Sequence, residues 1–88
     1  RIETTSEGTD KVVRVDGDLR GPTASSELRR VCEAIEDRLK IDLVNLLSFD
    51  PEGVQTLRSL AQGGAELIRV SPYVDMILGR ETIKTETS

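Results

Sequence analysis

The three prolines of this 88-residue chain punctuate it more sharply than any other feature. Two stand directly after a residue that can cap a helix, in Asp50-Pro51 and Ser71-Pro72. Proline has no amide hydrogen and a φ preset near about −65°, so it suits the first position of a helix and breaks the interior of one. The third, Pro22, ends a run of turn residues, Gly17-Asp18-Leu19-Arg20-Gly21-Pro22. Any fold must therefore begin new elements near residues 22, 51 and 72.

The apolar residues between these stops change period. Ile2 marks a short edge strand, and Lys11-Val-Val-Arg-Val-Asp16 is β-branched and partly alternating, which predicts a second strand joined to the first by a hairpin over Gly8. Ala24, Leu28, Val31, Cys32, Ile35 and Leu39 then fall on one face of a 3.6-residue period and predict a helix, with Thr23 or Ser25 as its cap. Its other face carries Glu27, Arg29, Arg30, Glu33, Glu36, Asp37 and Arg38, a solvated face with weak pairs such as Arg29–Glu33. Residues 39–49 are mostly apolar and predict a buried strand followed by a short extended segment. Asp50, Pro51 and Glu52 open a second helix as cap, first residue and dipole-complementing acid. Val54, Leu57, Leu60 and Ala61 give that helix its apolar face, and Gly63-Gly64 ends it. Residues 65–70 predict a strand. Tyr73 to Leu78 predict a short, largely buried helix closed by Gly79. Residues 80–88 are polar apart from Ile83 and are expected to form a loose tail.

The order β-β-α-β-α-β-α implies one α/β domain over residues 1–79. Right-handed crossovers give a largely parallel sheet, with the first two strands as an antiparallel edge. At 36% hydrophobic residues and a net charge of −4, the composition is that of a folded chain.

Composition also narrows the chemistry. There is no histidine, which removes imidazole base catalysis, serine triads and histidine metal sites. The single cysteine, Cys32, forms no internal disulfide and suits a reducing, cytoplasmic compartment. It lies on the apolar helix face, where packing outweighs reactivity. The acidic balance and the presence of only two aromatics, Phe49 and Tyr73, oppose nucleic acid as a partner. No apolar run approaches the length of a membrane span, and no signal peptide is visible. The chain begins at Arg1 rather than Met, which is consistent with a piece of a longer polypeptide. Asp50 and Glu52 do not converge on one substrate atom from neighbouring helix-start positions, so a catalytic carboxylate pair is not expected, nor is any cofactor or metal.

Taken together, these elements resemble the STAS domain, named for sulfate transporters and the bacterial anti-sigma factor antagonists, over about residues 11–79. The resemblance rests on a strand ending in Gly17-Asp18-Leu19, similar to the family's Gly-Glu-Leu-Asp; on the first amphipathic helix; on Asp42-Leu43 in the middle strand; and on Asp50-x-x-Gly53 opening the next helix. Gly63-Gly64 and Ser71-Pro72 fit as well. It implies a mixed sheet of four or five strands flanked by helices, and a non-enzymatic module that binds a protein partner and regulates transcription. In the antagonists, the serine directly after the loop Asp is phosphorylated by a partner kinase, which switches binding off.

Two positions depart from that pattern. Pro51 and Glu52 stand where the family carries hydroxyls, so this loop cannot be phosphorylated at the usual place. Arg20 stands where the family has an acid, and an Arg20–Glu52 ion pair across the two loops is one expectation. Ser48 is assigned to the strand. The resemblance implies a partner surface made of Asp18, Arg20, Asp50, Pro51, Glu52 and Gly53, extended by Gln55, Arg58, Ser59 and Gln62 on the exposed face of the second helix. The implied partner is an anti-sigma factor kinase or another ATPase. The alternatives are a STAS subunit bound to the ATPase of a lipid-transporting ABC system, since such subunits also depart from the serine-containing loop, and a nucleotide-binding STAS domain using the second helix's N-terminus.

Overall fold

A computed structural model describes residues 1–36 and 38–79 of the chain; the expected polar tail, 80–88, lies outside the described residues. The elements run β1 (Ile2–Glu7), β2 (Asp10–Val15), β3 (Gly17–Leu19), α1 (Gly21–Glu33), β4 (Arg38–Asp42), β5 (Leu46–Phe49), α2 (Pro51–Gln62), β6 (Glu66–Ile68) and α3 (Pro72–Leu78). β1 and β2 form an antiparallel hairpin in register from Ile2↔Val15 to Glu7↔Asp10. Gly8 takes the tight turn at φ 61°, a conformation glycine adopts without steric cost. β4 lies parallel to β2, and β6 parallel to β4, giving the sheet order β1-β2-β4-β6 with the expected antiparallel edge. A second, two-stranded parallel sheet pairs β3 with β5.

The core is aliphatic. Val13 and Val15 of β2, Leu19 at the end of β3, Leu28 of α1, Ile41 of β4 and Leu57 of α2 are all sealed from solvent. α1 packs on α2, and α2 on α3. Cys32 is buried among these residues, and burial pushes its thiol up to about 11, so it is an inert packing group at neutral pH.

Several elements differ from expectation, each for a tertiary reason. Gly17-Asp18-Leu19, a turn by local pattern but the end of a strand by the resemblance, is a short strand of its own because Leu46–Phe49 lies alongside to pair with it. The apolar run 39–49 gives a strand and then a short extended segment as expected, but that segment is itself a paired strand, β5, set off from β4 by a turn closed by the Leu46 amide on the Leu43 carbonyl (3.2 Å), with the Asp42 carboxylate accepting from the Val44 amide at 3.0 Å. Arg69, one residue past β6, sits at φ 54° with its Nε 3.7 Å from that same buried carboxylate.

α1 starts three residues earlier than Ala24 and ends at Glu33, so Leu39 belongs to β4 rather than to the helix. Neither Thr23 nor Ser25 caps α1. The N-cap position is Arg20, which makes no side-chain cap, and Ser25 is buried inside the helix. Instead of pairing along the helix with Glu33, Arg29 reaches across to the hydroxyls of Ser59 (3.4 Å) and Thr56 (3.5 Å) on α2. α3 is less buried than its composition suggests. Val74 and Leu78 face the core, while Tyr73 and Met76 face solvent.

Candidate functional site

The parallel pairing of β3 and β5 carries the chain into two helices side by side. Asp18 lies opposite Ser48 and Leu19 opposite Phe49, so both strands end at the same level. Each then enters a helix through a proline, α1 at Pro22 and α2 at Pro51. The Gly17–Pro22 and Asp50–Gly53 segments therefore form one surface, at the carboxyl ends of parallel strands where open α/β sheets present their binding sites.

Asp50 fastens the two segments together. Its amide donates to the Leu19 carbonyl at 3.2 Å. One carboxylate oxygen, Oδ1, accepts from the Gly53 amide at 2.8 Å and caps α2 as expected. The other, Oδ2, accepts from the Gly21 amide at 2.8 Å, the first residue of α1. One side chain thus serves the starts of two helices, and α1 needs no cap of its own. The amides of Gly21 and then Gly53, with a smaller contribution from the Arg20 charge, hold the Asp50 carboxyl below the usual carboxylate range.

Gly53 is buried for a steric reason. A Cβ at this position would stand 2.6 Å from the Leu19 carbonyl oxygen and 3.1 Å from the Leu19 side chain. The glycine lets the first turn of α2 rest directly on the end of β3.

A polar cluster forms on the outer side. The Ser48 hydroxyl donates to Asp18 Oδ1 at 2.6 Å and accepts from Arg20 Nε at 3.0 Å. Asp18 and Arg20 flank buried Leu19, so alternation along the strand turns both outward. Arg20 is thereby committed to Ser48, and no Arg20–Glu52 ion pair within 4 Å forms among the described residues. Glu52 and Pro51 are exposed in the first turn of α2, and Gln55, Ser59 and Gln62 are exposed farther along it. Arg58 is half-buried and turned toward α3, where Nε donates to the Leu78 carbonyl and Nη2 to the Ile77 carbonyl, both at 3.0 Å. It acts as a clamp on the end of α3.

The fold thus brings together Asp18, Arg20, Asp50, Pro51, Glu52 and Gly53, with Gln55 one turn along. Sequence reasoning missed Ser48 as the link between Asp18 and Arg20. Only the parallel register opposes these residues, and no local spacing signals it. It also missed the aromatic shelf next to the loop, where Phe49 at the end of β5 stacks on Tyr73 of α3 with ring centroids 6.4 Å apart.

The Gly53 amide is taken by Asp50 and Pro51 has none, which leaves the α2 start a poor cradle for an external anion. Among the described residues, no cluster of three or more His, Cys, Asp or Glu could hold a metal ion, and no helix is long and apolar enough to cross a membrane.

No protein-family model and no curated protein sequence matches the chain. Among solved structures, it is similar to that of the anti-sigma factor antagonist SpoIIAA in its unphosphorylated form. The TM-score is 0.67 at 16% sequence identity, and the match covers 100% of this chain and 99% of that one. With its mixed four-stranded sheet, two-stranded sheet and three helices, the chain has the STAS fold.

Proposed function

We propose that this chain is a non-enzymatic, cytoplasmic interaction module of the anti-sigma factor antagonist type. It binds a protein partner, an anti-sigma factor kinase or a related ATPase, through the fused Gly17–Pro22 and Asp50–Gly53 segments. The observation that carries this reading is Asp50. A carboxylate engaged by the Gly21 and Gly53 amides is not available for acid–base work, but it does make two loops into one preformed surface. Such preorganisation lowers the entropy lost on docking. Pro51, Glu52, Asp18, Arg20 and Gln55 supply its exposed, partner-reading side chains.

The module is not switched at the usual position. Pro51 and Glu52 carry no hydroxyl, and Glu52 places a carboxylate in the first turn of α2. The test is affinity capture from the source cells with the wild-type chain and with Glu52→Lys and Gln55→Ala, after circular dichroism has shown the variants folded. The expected result is an ATPase retained by the wild type and lost from Glu52→Lys. Equal capture by all three chains sinks the loop as the binding surface. Phosphate found on Ser or Thr elsewhere in the purified protein, with altered capture, sinks the unswitched reading.

A further inference from the structure

The four-stranded sheet ends in β1 on one side and β6 on the other, and the two edges are not alike. β6 is three residues long, and Arg69 just past it turns the backbone away at φ 54°. A short edge of that kind resists further pairing. β1 is six residues long, pairs with β2 without a break in register, and is exposed from Thr4 to Glu7. It carries no Pro and no Lys, the residues that commonly guard an edge. Among the described residues, β2 is its one neighbour in the sheet.

The open end of the hairpin shows which backbone groups this edge offers. The Arg1 nitrogen donates to the Asp16 carbonyl at 2.8 Å, and the Asp16 amide donates to the Arg1 carbonyl at 2.7 Å. Arg1 and Asp16 are thus a hydrogen-bonded pair, and such pairs alternate along an antiparallel ladder. Glu3, Thr5 and Glu7 therefore bond to β2, opposite Arg14, Val12 and Asp10. The amides and carbonyls of Ile2, Thr4 and Ser6 point the other way, off the free edge. Side chains alternate as well. Ile2, Thr4 and Ser6 share one face of the sheet and are uncharged. Arg1, Glu3, Thr5 and Glu7 share the other, where Glu3 accepts from Arg14 Nη2 at 2.8 Å.

This arrangement is complementary to itself. A second β1 running antiparallel must set outward-bonding residues opposite one another, so Ile2, Thr4 and Ser6 of one copy meet the same residues of the other. With Thr4 opposite Thr4, Ile2 meets Ser6, Glu3 meets Thr5 and Arg1 meets Glu7. Opposite charges then face each other at both ends, and like charges face each other nowhere. Sliding one strand by two residues sets Glu3 opposite Glu3 in one direction and Glu3 opposite Glu7 in the other, and it gives up backbone bonds as well.

We propose that β1 is a self-association edge: two copies of this chain pair β1 to β1, antiparallel about Thr4, and join their four-stranded sheets into one. Arg1, which pairs with Glu3 in its own chain, also meets Glu7 of the other copy. The net −4 of each copy is spread over its surface and is screened beyond about 8 Å at physiological salt. No residue of the candidate loop surface lies in β1, so a dimer carries that surface twice, and the inference stands apart from the loop's proposed role.

The test is sedimentation equilibrium of the full 88-residue chain, from about 10 μM to about 1 mM in about 0.15 M salt, with amide exchange read on ¹⁵N-labelled protein. A dimer is expected in that range. Exchange at the Ile2, Thr4 and Ser6 amides should slow as concentration rises, while Glu3 and Thr5 are protected throughout. Thr4→Pro removes an outward amide and no bond to β2, so the monomer fold persists and the dimer is lost. Thr5→Lys sets an ammonium opposite Glu3 of the other copy and is expected to tighten the dimer about threefold to tenfold, whereas Thr5→Glu loosens it. Thr23→Lys, the same charge change at an exposed position of α1, is expected to leave association unchanged. Monomer at every concentration, or a dimer that Thr4→Pro leaves intact, overturns the proposal. If Thr4→Pro does not fold, the Thr5 variants decide: loosening by Thr5→Lys, or equal tightening by Thr23→Lys, overturns it too. Protection of the Ile2, Thr4 and Ser6 amides that appears only when a protein captured through the loop is added assigns the edge to a strand of that protein, and the self-pairing fails.

Discussion

The two sheets of this protein are held by different forces. The four-stranded sheet is ordered by burial, since Val13, Val15 and Ile41 are closed off from water and their strands would lose that burial in any other register. The β3–β5 pair is three or four residues long; Leu19 anchors it in the same core, but its outer side and the helix starts beyond it are tied by polar contacts: the Ser48 link between Asp18 and Arg20, and the Asp50 carboxylate across the two helix starts. The first kind of order stabilises the domain. The second fixes the position of a surface. A surface built the second way can carry different outward residues without endangering the core.

The sharpest test of the contrast is Leu57→Ala, which removes a fully buried side chain of α2 from the core. It is expected to cost about 2–5 kcal/mol, seen in urea unfolding, and to lower the melting temperature by about 10 °C or more. A loss under about 1 kcal/mol would mean that the core relaxes around the cavity and is not the principal source of order.

Gly53→Ala comes next, because it presses a methyl group against the Leu19 carbonyl at the junction of the two regions. The expected cost is about 1–3 kcal/mol, with amide shifts concentrated at Leu19, Arg20 and Gly21. Unchanged or raised stability would show that α2 can move away from β3 and that the surface is not rigidly set.

Asp50→Ala is the smallest in stability and the most local. It is expected to lower the melting temperature less than Leu57→Ala does, while hydrogen-exchange protection of the Gly21 and Gly53 amides falls together. Asp50→Asn, which keeps one acceptor oxygen, should fall between the two chains. The pH dependence follows from the lowered folded-state pKa of Asp50. Its stabilising contribution is complete above the unfolded value of about 3.9 and is lost as pH falls through the folded value. Acid should therefore narrow the gap between wild type and Asp50→Ala, and a gap that stays constant from pH 7 down to pH 2 contradicts the double cap.

The legibility of the sequence divides along the same line. The hairpin, the core helix α2, its Asp50 cap and the Gly63-Gly64 stop could all be read locally, because each depends on residues within one or two turns of one another. The loop residues of the candidate site were identified too, but not their connections. β3 looked like a turn because Gly17-Asp18-Leu19 has no strand signal without β5 beside it. Arg20 looked available to Glu52 because Ser48 is 28 residues away in sequence and only 3.0 Å away in space. Tyr73 and Met76 looked buried because composition gives the amount of apolar surface, not the side on which a seven-residue helix finds its neighbours.

The sequence by itself determined the periods, the stops and the missing chemistry: where strands give way to helices, the absence of histidine, and the absence of a hydroxyl at Pro51 and Glu52. These follow from side-chain type and spacing, which act over a few residues. Only the tertiary structure decided that one carboxylate would serve two helices and that Ser48 would join two loops. Those depend on which distant segments come within about 3 Å of each other, the hydrogen-bonding distance, and packing the whole chain around its aliphatic core settles that.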